Sequence, residues 1–128
     1  MHIHHIALWT ADLERLRNFY SKFFHCRVSN RYNNPKKQFS SYFLSFPKGA
    51  SIEIMQQADI TEPLNHERIG LAHFSISVGS KEQVDAFTKM LEDEGVRIHS
   101  YPRTTGDGYY ESVILDPDGN KIELTTDS

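Results

Sequence analysis

Hydrophobic positions along this chain switch between a period of two and a helical period, and they do so twice. In residues 3–9, Ile-His-His-Ile-Ala-Leu-Trp, Ile6 and Leu8 share one face while His5, Ala7 and Trp9 share the other, which predicts a half-buried strand. Leu13, Leu16, Phe19, Tyr20 and Phe23 then recur at helical spacing behind Asp12, a good N-cap, so a helix is predicted to end near Phe24–Cys26. Residues 27–34 read as a strand leading into a loop at Asn33-Asn34-Pro35, and strands are predicted at 39–46 and 51–56 around a turn at Pro47 and Gly49. Residues 57–70 show no clear period and read as a linker. The pattern then restarts with a strand at 71–78, where Phe74, Ile76 and Val78 oppose His73, Ser75 and Ser77. Ser80 and Gln83 form a capping box for a helix carrying Val84, Phe87, Met90 and Leu91, which Gly95 ends. Strands at 96–101, 109–115 and 121–125 follow, with a Gly-containing loop at 102–108.

Each half is thus predicted as strand, helix, strand, strand, strand, and two short stretches repeat closely. Phe46-Pro47-Lys48-Gly49-Ala50-Ser51-Ile52-Glu53-Ile54 echoes Asp116-Pro117-Asp118-Gly119-Asn120-Lys121-Ile122-Glu123-Leu124, with a Pro two residues before a Gly and a Glu four after it. Pro presets φ in such a turn and Gly tolerates φ > 0. Superposing Glu53 on Glu123 brings His5 within two positions of His73. The fold class expected is α+β: one domain over 1–128, with module 1 at 1–56, the linker at 57–70 and module 2 at 71–128. The two βαβββ modules would form a curved mixed sheet around a polar cup, with the helices outside.

The alternation gives the repeat a chemical meaning. Ile52 and Ile54 point to the helix side, so Glu53 points to the face that carries His5; Ile122 and Leu124 do the same for Glu123 and His73. Two imidazoles and two carboxylates on one surface are ligand types for a divalent ion, which would also offset the cost of partly burying two carboxylates. Nickel, cobalt, zinc and manganese all suit such a set.

Composition narrows the alternatives. With 128 residues, 38% hydrophobic and 24% charged, the chain is long enough to bury a core and is unlike a disordered segment. A net charge of −3 without a basic cluster argues against nucleic acid as a partner, and Lys36-Lys37 reads as a solvated loop. No apolar run is long enough to span a bilayer, and Met1-His2-Ile3-His4-His5 is too polar for a signal segment. The single Cys26 reads as a reduced, partly buried thiol, consistent with a cytoplasmic protein. His2, His4, His25, His66 and His99 have no counterpart in the repeat and read as surface residues.

The paired modules, with His5 in His-His-Ile-Ala-Leu, Glu53 in Ser-Ile-Glu-Ile, His73 in Leu-Ala-His-Phe-Ser-Ile-Ser-Val and Glu123 after Asp-Pro-Asp-Gly, resemble the vicinal oxygen chelate superfamily. They are most similar to its glyoxalase I (lactoylglutathione lyase) branch. The resemblance implies one divalent ion on His5, Glu53, His73 and Glu123, and a lyase or isomerase acting through an enediolate on a hemithioacetal or α-hydroxycarbonyl compound. Glu123 and Glu53 would be the catalytic acid–base pair, and Glu123 the favoured base. A thiol such as glutathione and a homodimer are also implied. Trp9 stands where the bacterial enzymes tend to carry an Arg, and Gln57 where an Asn is expected, which leaves the thiol open. Trp9 and Tyr110 are the candidate substrate contacts. Competing readings are a dioxygenase or thiol transferase of the same superfamily, or a bleomycin-resistance-like binding protein without turnover.

Overall fold

The structure, a computed structural model, describes residues 1–127. The chain separates into two compact units, Met1–Pro63 and the residues from Leu64 onward. In the first, β1 (His5–Trp9), α1 (Leu13–Phe24), β2 (Arg27–Val28), β3 (Tyr32–Asn34), β4 (Phe39–Ser45) and β5 (Ser51–Gln57) follow in order. The sheet order is β1-β5-β4-β2, with β3 also on β4, and β1 runs parallel to β5. The second unit contains β6 (His73–Gly79), α2 (Lys81–Asp93), β7 (Ile98–Thr104), β8 (Tyr110–Leu115) and β9 (Lys121–Thr126). Its order is β6-β9-β8-β7, again with the first and last strands parallel. The fold is therefore α+β, with one mixed sheet and one helix in each unit.

Local chemistry explains the helices. The Asp12 side chain accepts from the Arg15 N–H, and Leu13, Leu16, Phe19, Tyr20 and Phe23 form the buried face of α1. Leu8, Tyr42, Leu44, Ile52 and Ile54 are the buried hydrophobic residues of the same unit's strands. The capping box of Ser80 and Gln83 closes both ways at the start of α2. The Gln83 carboxamide sits where a side chain on Gly79 would stand, and Gly79 has φ 119°. Val84, Thr88 and Leu91 are buried on α2, as are Ile114, Ile122 and Leu124 on the strands. One polar pair is buried there: the Thr88 and Ser112 hydroxyls lie 2.7 Å apart, and Thr88 also donates to the Val84 carbonyl.

Two strands depart from the sequence reading. The strand expected over 27–34 is broken into β2 and β3. Val28 pairs with Leu44, but Tyr32 pairs with Ser41, so one extra residue is accommodated between them. Ser29 holds the break: its N–H donates to the Phe43 carbonyl and its hydroxyl accepts from the Phe43 N–H. Asn33 and Asn34 consequently lie in a strand rather than a loop. The strand expected at 96–101 instead runs as β7 through Pro102 to Thr104, with register shifts against β8. As the edge strand of its sheet, β7 tolerates the missing Pro N–H. No helix among the described residues is long and apolar enough to cross a membrane.

Candidate functional site

Each unit builds one histidine–glutamate pair by the same device. In the first unit the parallel register sets His5 beside Ser51 and Ala7 beside Glu53. His5 and Glu53 therefore share the face opposite Ile52 and Ile54, both buried. His5 Nε2 lies 3.8 Å from Glu53 Oε1, with the imidazole 39% and the carboxylate 19% exposed. The other side of the ring is held. His5 Nδ1 is 2.8 Å from His4 Nδ1, one ring donating to the other, and the Phe43 ring meets His5 edge-on at 5.3 Å. This leaves Nε2 as the nitrogen turned toward the carboxylate, the orientation a histidine ligand needs. Trp9 follows on the same face, 42% exposed, edge-on to Phe39 at 6.2 Å, and Tyr32 meets Phe39 from another side. Gln57 is engaged locally, donating to Asp59.

The second unit repeats the geometry with more contacts. His73 pairs in register with Lys121 and Ser75 with Glu123. His73 Nε2 lies 3.1 Å from Glu123 Oε2, and the Ser75 hydroxyl donates to Glu123 Oε1. Glu111 shares a hydrogen bond with the same carboxylate. Burial first, then the charge of Glu123 and that hydrogen bond, push the Glu111 carboxyl above its ordinary value of 4.5. Neither Ser75 nor Glu111 was singled out from the sequence as a site residue. Alternation along Tyr110-Glu-Ser-Val-Ile-Leu does separate Glu111 from Tyr110, but only the pairing of Val113 with Glu123 reveals which face meets the site.

That alternation also corrects the expectation for Tyr110. It lies on the helix side of the sheet, where its hydroxyl is 2.5 Å from Asp85 and Lys81 sits over its ring at 5.4 Å. Glu111, not Tyr110, is the residue of this strand beside Glu123. His25 serves as the left-handed C-cap of α1, and His66 contacts Asn65.

The turn before β9 positions Glu123. Asp116 is 1% exposed, and its Oδ1 accepts from the Asp118 and Asn120 N–H groups at 3.0 and 2.9 Å. Its Oδ2 accepts from the Asn120 carboxamide at 2.9 Å. Gly119 has φ 90°, and a Cβ there would approach the Leu64 carbonyl to 3.1 Å, so the position requires glycine twice over. The matching turn at Gly49, φ 87°, lies in open space and has a Phe where the later turn has Asp116.

Among the described residues, no three His, Cys, Asp or Glu side chains are gathered into a metal-holding group; the donors come as pairs, one in each unit. Each pair turns an imidazole nitrogen toward a carboxylate oxygen, a donor chemistry that fits a divalent ion of the zinc or nickel type.

Comparison with known proteins bears on the family and the fold. The family described as Glyoxalase/Bleomycin resistance protein/Dioxygenase superfamily matches residues 2–124. The protein YqjT of Bacillus subtilis (strain 168) is 34% identical, covering 98% of this chain and 99% of its own. Among solved structures, a glyoxylase/bleomycin resistance protein/dioxygenase domain from Frankia sp. EAN1pec superposes with a TM-score of 0.84 at 20% identity, over 100% of this chain and 93% of that one. The trypanothione-dependent glyoxalase I of Leishmania major gives 0.79 at 21% identity, over 98% and 86%. These two likenesses concern the fold.

Proposed function

The chain belongs to the glyoxalase/bleomycin resistance/dioxygenase superfamily, and from that premise we propose that it is a divalent-metal-dependent lyase or isomerase of glyoxalase I type. The substrate class is a small hemithioacetal or α-hydroxycarbonyl compound. The observation that carries the reading is the repeated pair: His5 facing Glu53 and His73 facing Glu123, each across parallel strands on the face away from the buried core. The proposed ligands are His5, Glu53, His73 and Glu123. A bound divalent ion would supply Lewis acidity toward two adjacent substrate oxygens. The chain's own task is proton transfer: a glutamate carboxylate removes the proton from the carbon beside the carbonyl and returns it to the neighbouring carbon. Trp9, half exposed on the His5 face, offers an aromatic surface to the substrate. The same reading includes a homodimer in the cytoplasm and a thiol co-substrate, with glutathione the first to try.

The test begins with metal. Protein purified without chelator is assayed for bound nickel, cobalt, zinc and manganese, and the chelated form is titrated with each by calorimetry. Uptake of one ion, lost in Glu53→Gln and Glu123→Gln, is the expected result. A protein that neither carries nor takes up a divalent ion refutes the proposal. Methylglyoxal with glutathione, then with alternative thiols, identifies the substrate; oxygen uptake with catechols would indicate a dioxygenase instead.

A further inference from the structure

The repeat makes the two glutamates equivalent, but their neighbours are not. The residue paired in register with Glu123 is Ser75, whose hydroxyl donates to Oε1; the residue paired with Glu53 is Ala7, which has no donor. Holding Oε1 leaves Oε2 at 3.1 Å from His73 Nε2. In the first unit the corresponding gap is 3.8 Å, and Glu53 has the Phe43 ring as its cross-strand neighbour on β4. We infer that Ser75 is a positioning residue that fixes the orientation of the Glu123 carboxylate, a role that Ala7 cannot fill for Glu53. The consequence for metal affinity rests on the metal-dependent reading above; the Ser75 contact itself does not.

A carboxylate has two oxygens and a rotatable side chain, and a hydrogen bond to one oxygen selects which lone pairs the other presents. Partners that orient a ligand in this way typically change metal affinity by about 10- to 100-fold when removed. The bond lies across two strands whose register is set by the backbone ladder, so the serine side chain can be altered without disturbing the ladder.

The experiment compares Ser75→Ala, Ser75→Thr and Ala7→Ser with the parent chain. In metal-free protein, the side-chain carboxyl carbon resonances of Glu123 and Glu53 are followed by NMR. Ser75→Ala should move the Glu123 signal and leave Glu53 in place; Ser75→Thr, which keeps the hydroxyl, should restore it; and Ala7→Ser should move Glu53. In calorimetric titration with nickel, Ser75→Ala should bind about tenfold more weakly and Ser75→Thr should recover. An unmoved Glu123 signal in Ser75→Ala, or a Ser75→Thr protein no closer to the parent than Ser75→Ala, overturns the inference. If the parent chain takes up no nickel, the proposed function falls, while the metal-free spectra still decide whether Ser75 fixes Glu123.

Discussion

Replacing Asp116 tests whether the turn before β9 is held by one buried carboxylate. Its two oxygens accept at least three hydrogen bonds, from the Asp118 N–H, the Asn120 N–H and the Asn120 carboxamide, at 2.9–3.0 Å. Each such bond has a net worth of about 0.5–1.5 kcal/mol, so Asp116→Ala should cost about 3 kcal/mol, with about 1.5–4.5 kcal/mol as the bounds. Water can replace part of this, since the donors are only partly buried, which favours the middle of the range over its top. Asp116→Asn should be milder. It can still accept from both backbone N–H groups, but it turns an NH2 toward the Asn120 NH2, a loss of about 1 kcal/mol. Combining Asp116→Asn with Asn120→Asp exchanges donor for acceptor and should recover most of that loss. The assay is urea unfolding followed by circular dichroism, with unchanged m-values confirming that stability is what moved. A cost below about 1 kcal/mol for Asp116→Ala, or a double variant no more stable than Asp116→Asn alone, would show that these hydrogen bonds do not hold the turn.

Other expectations are simpler. Ser80→Ala removes the acceptor for the Gln83 N–H and should destabilise the protein by about 1 kcal/mol, read in the same unfolding assay. Ile54→Ala, at a site with 0% exposure under α1, should cost about 2–5 kcal/mol. Burial raises the Cys26 thiol above its ordinary value of 9.0. Since the thiolate is the nucleophile, iodoacetamide should modify Cys26 more slowly than free cysteine at pH 8, and the rate should climb as pH rises through the raised value. Modification as fast as free cysteine at that pH would show that the thiol is not shielded.

Much of the site was legible because its determinants are local. A strand's period of two put His5 opposite Ile6 and Leu8, and Glu53 between Ile52 and Ile54, whatever the strands later paired with. The Asp-Pro-Asp-Gly turn could be read in the same way, since φ > 0 at Gly119 is a demand on one residue. The helices declared themselves through Asp12 and the Ser80–Gln83 box, which cap backbone groups only a few residues away.

What one residue does to another across strands was not legible. Alternation assigns a face but not a neighbour, and register is a property of two strands at once. Only the pairing of β6 with β9 shows that Ser75, and not Ser77, stands beside Glu123. The pairing of β8 with β9 brings Glu111 to that carboxylate and sends Tyr110 to the helix side. The extra residue around Ser29, which splits one expected strand in two, is likewise a matter of how β2 and β3 fit along β4. Alternation within single strands is thus enough to settle which residues face which way and that the chain repeats. Which side chains touch depends on strand pairing, because hydrogen bonds between strands, unlike the conformation of a single strand, join residues far apart in the chain.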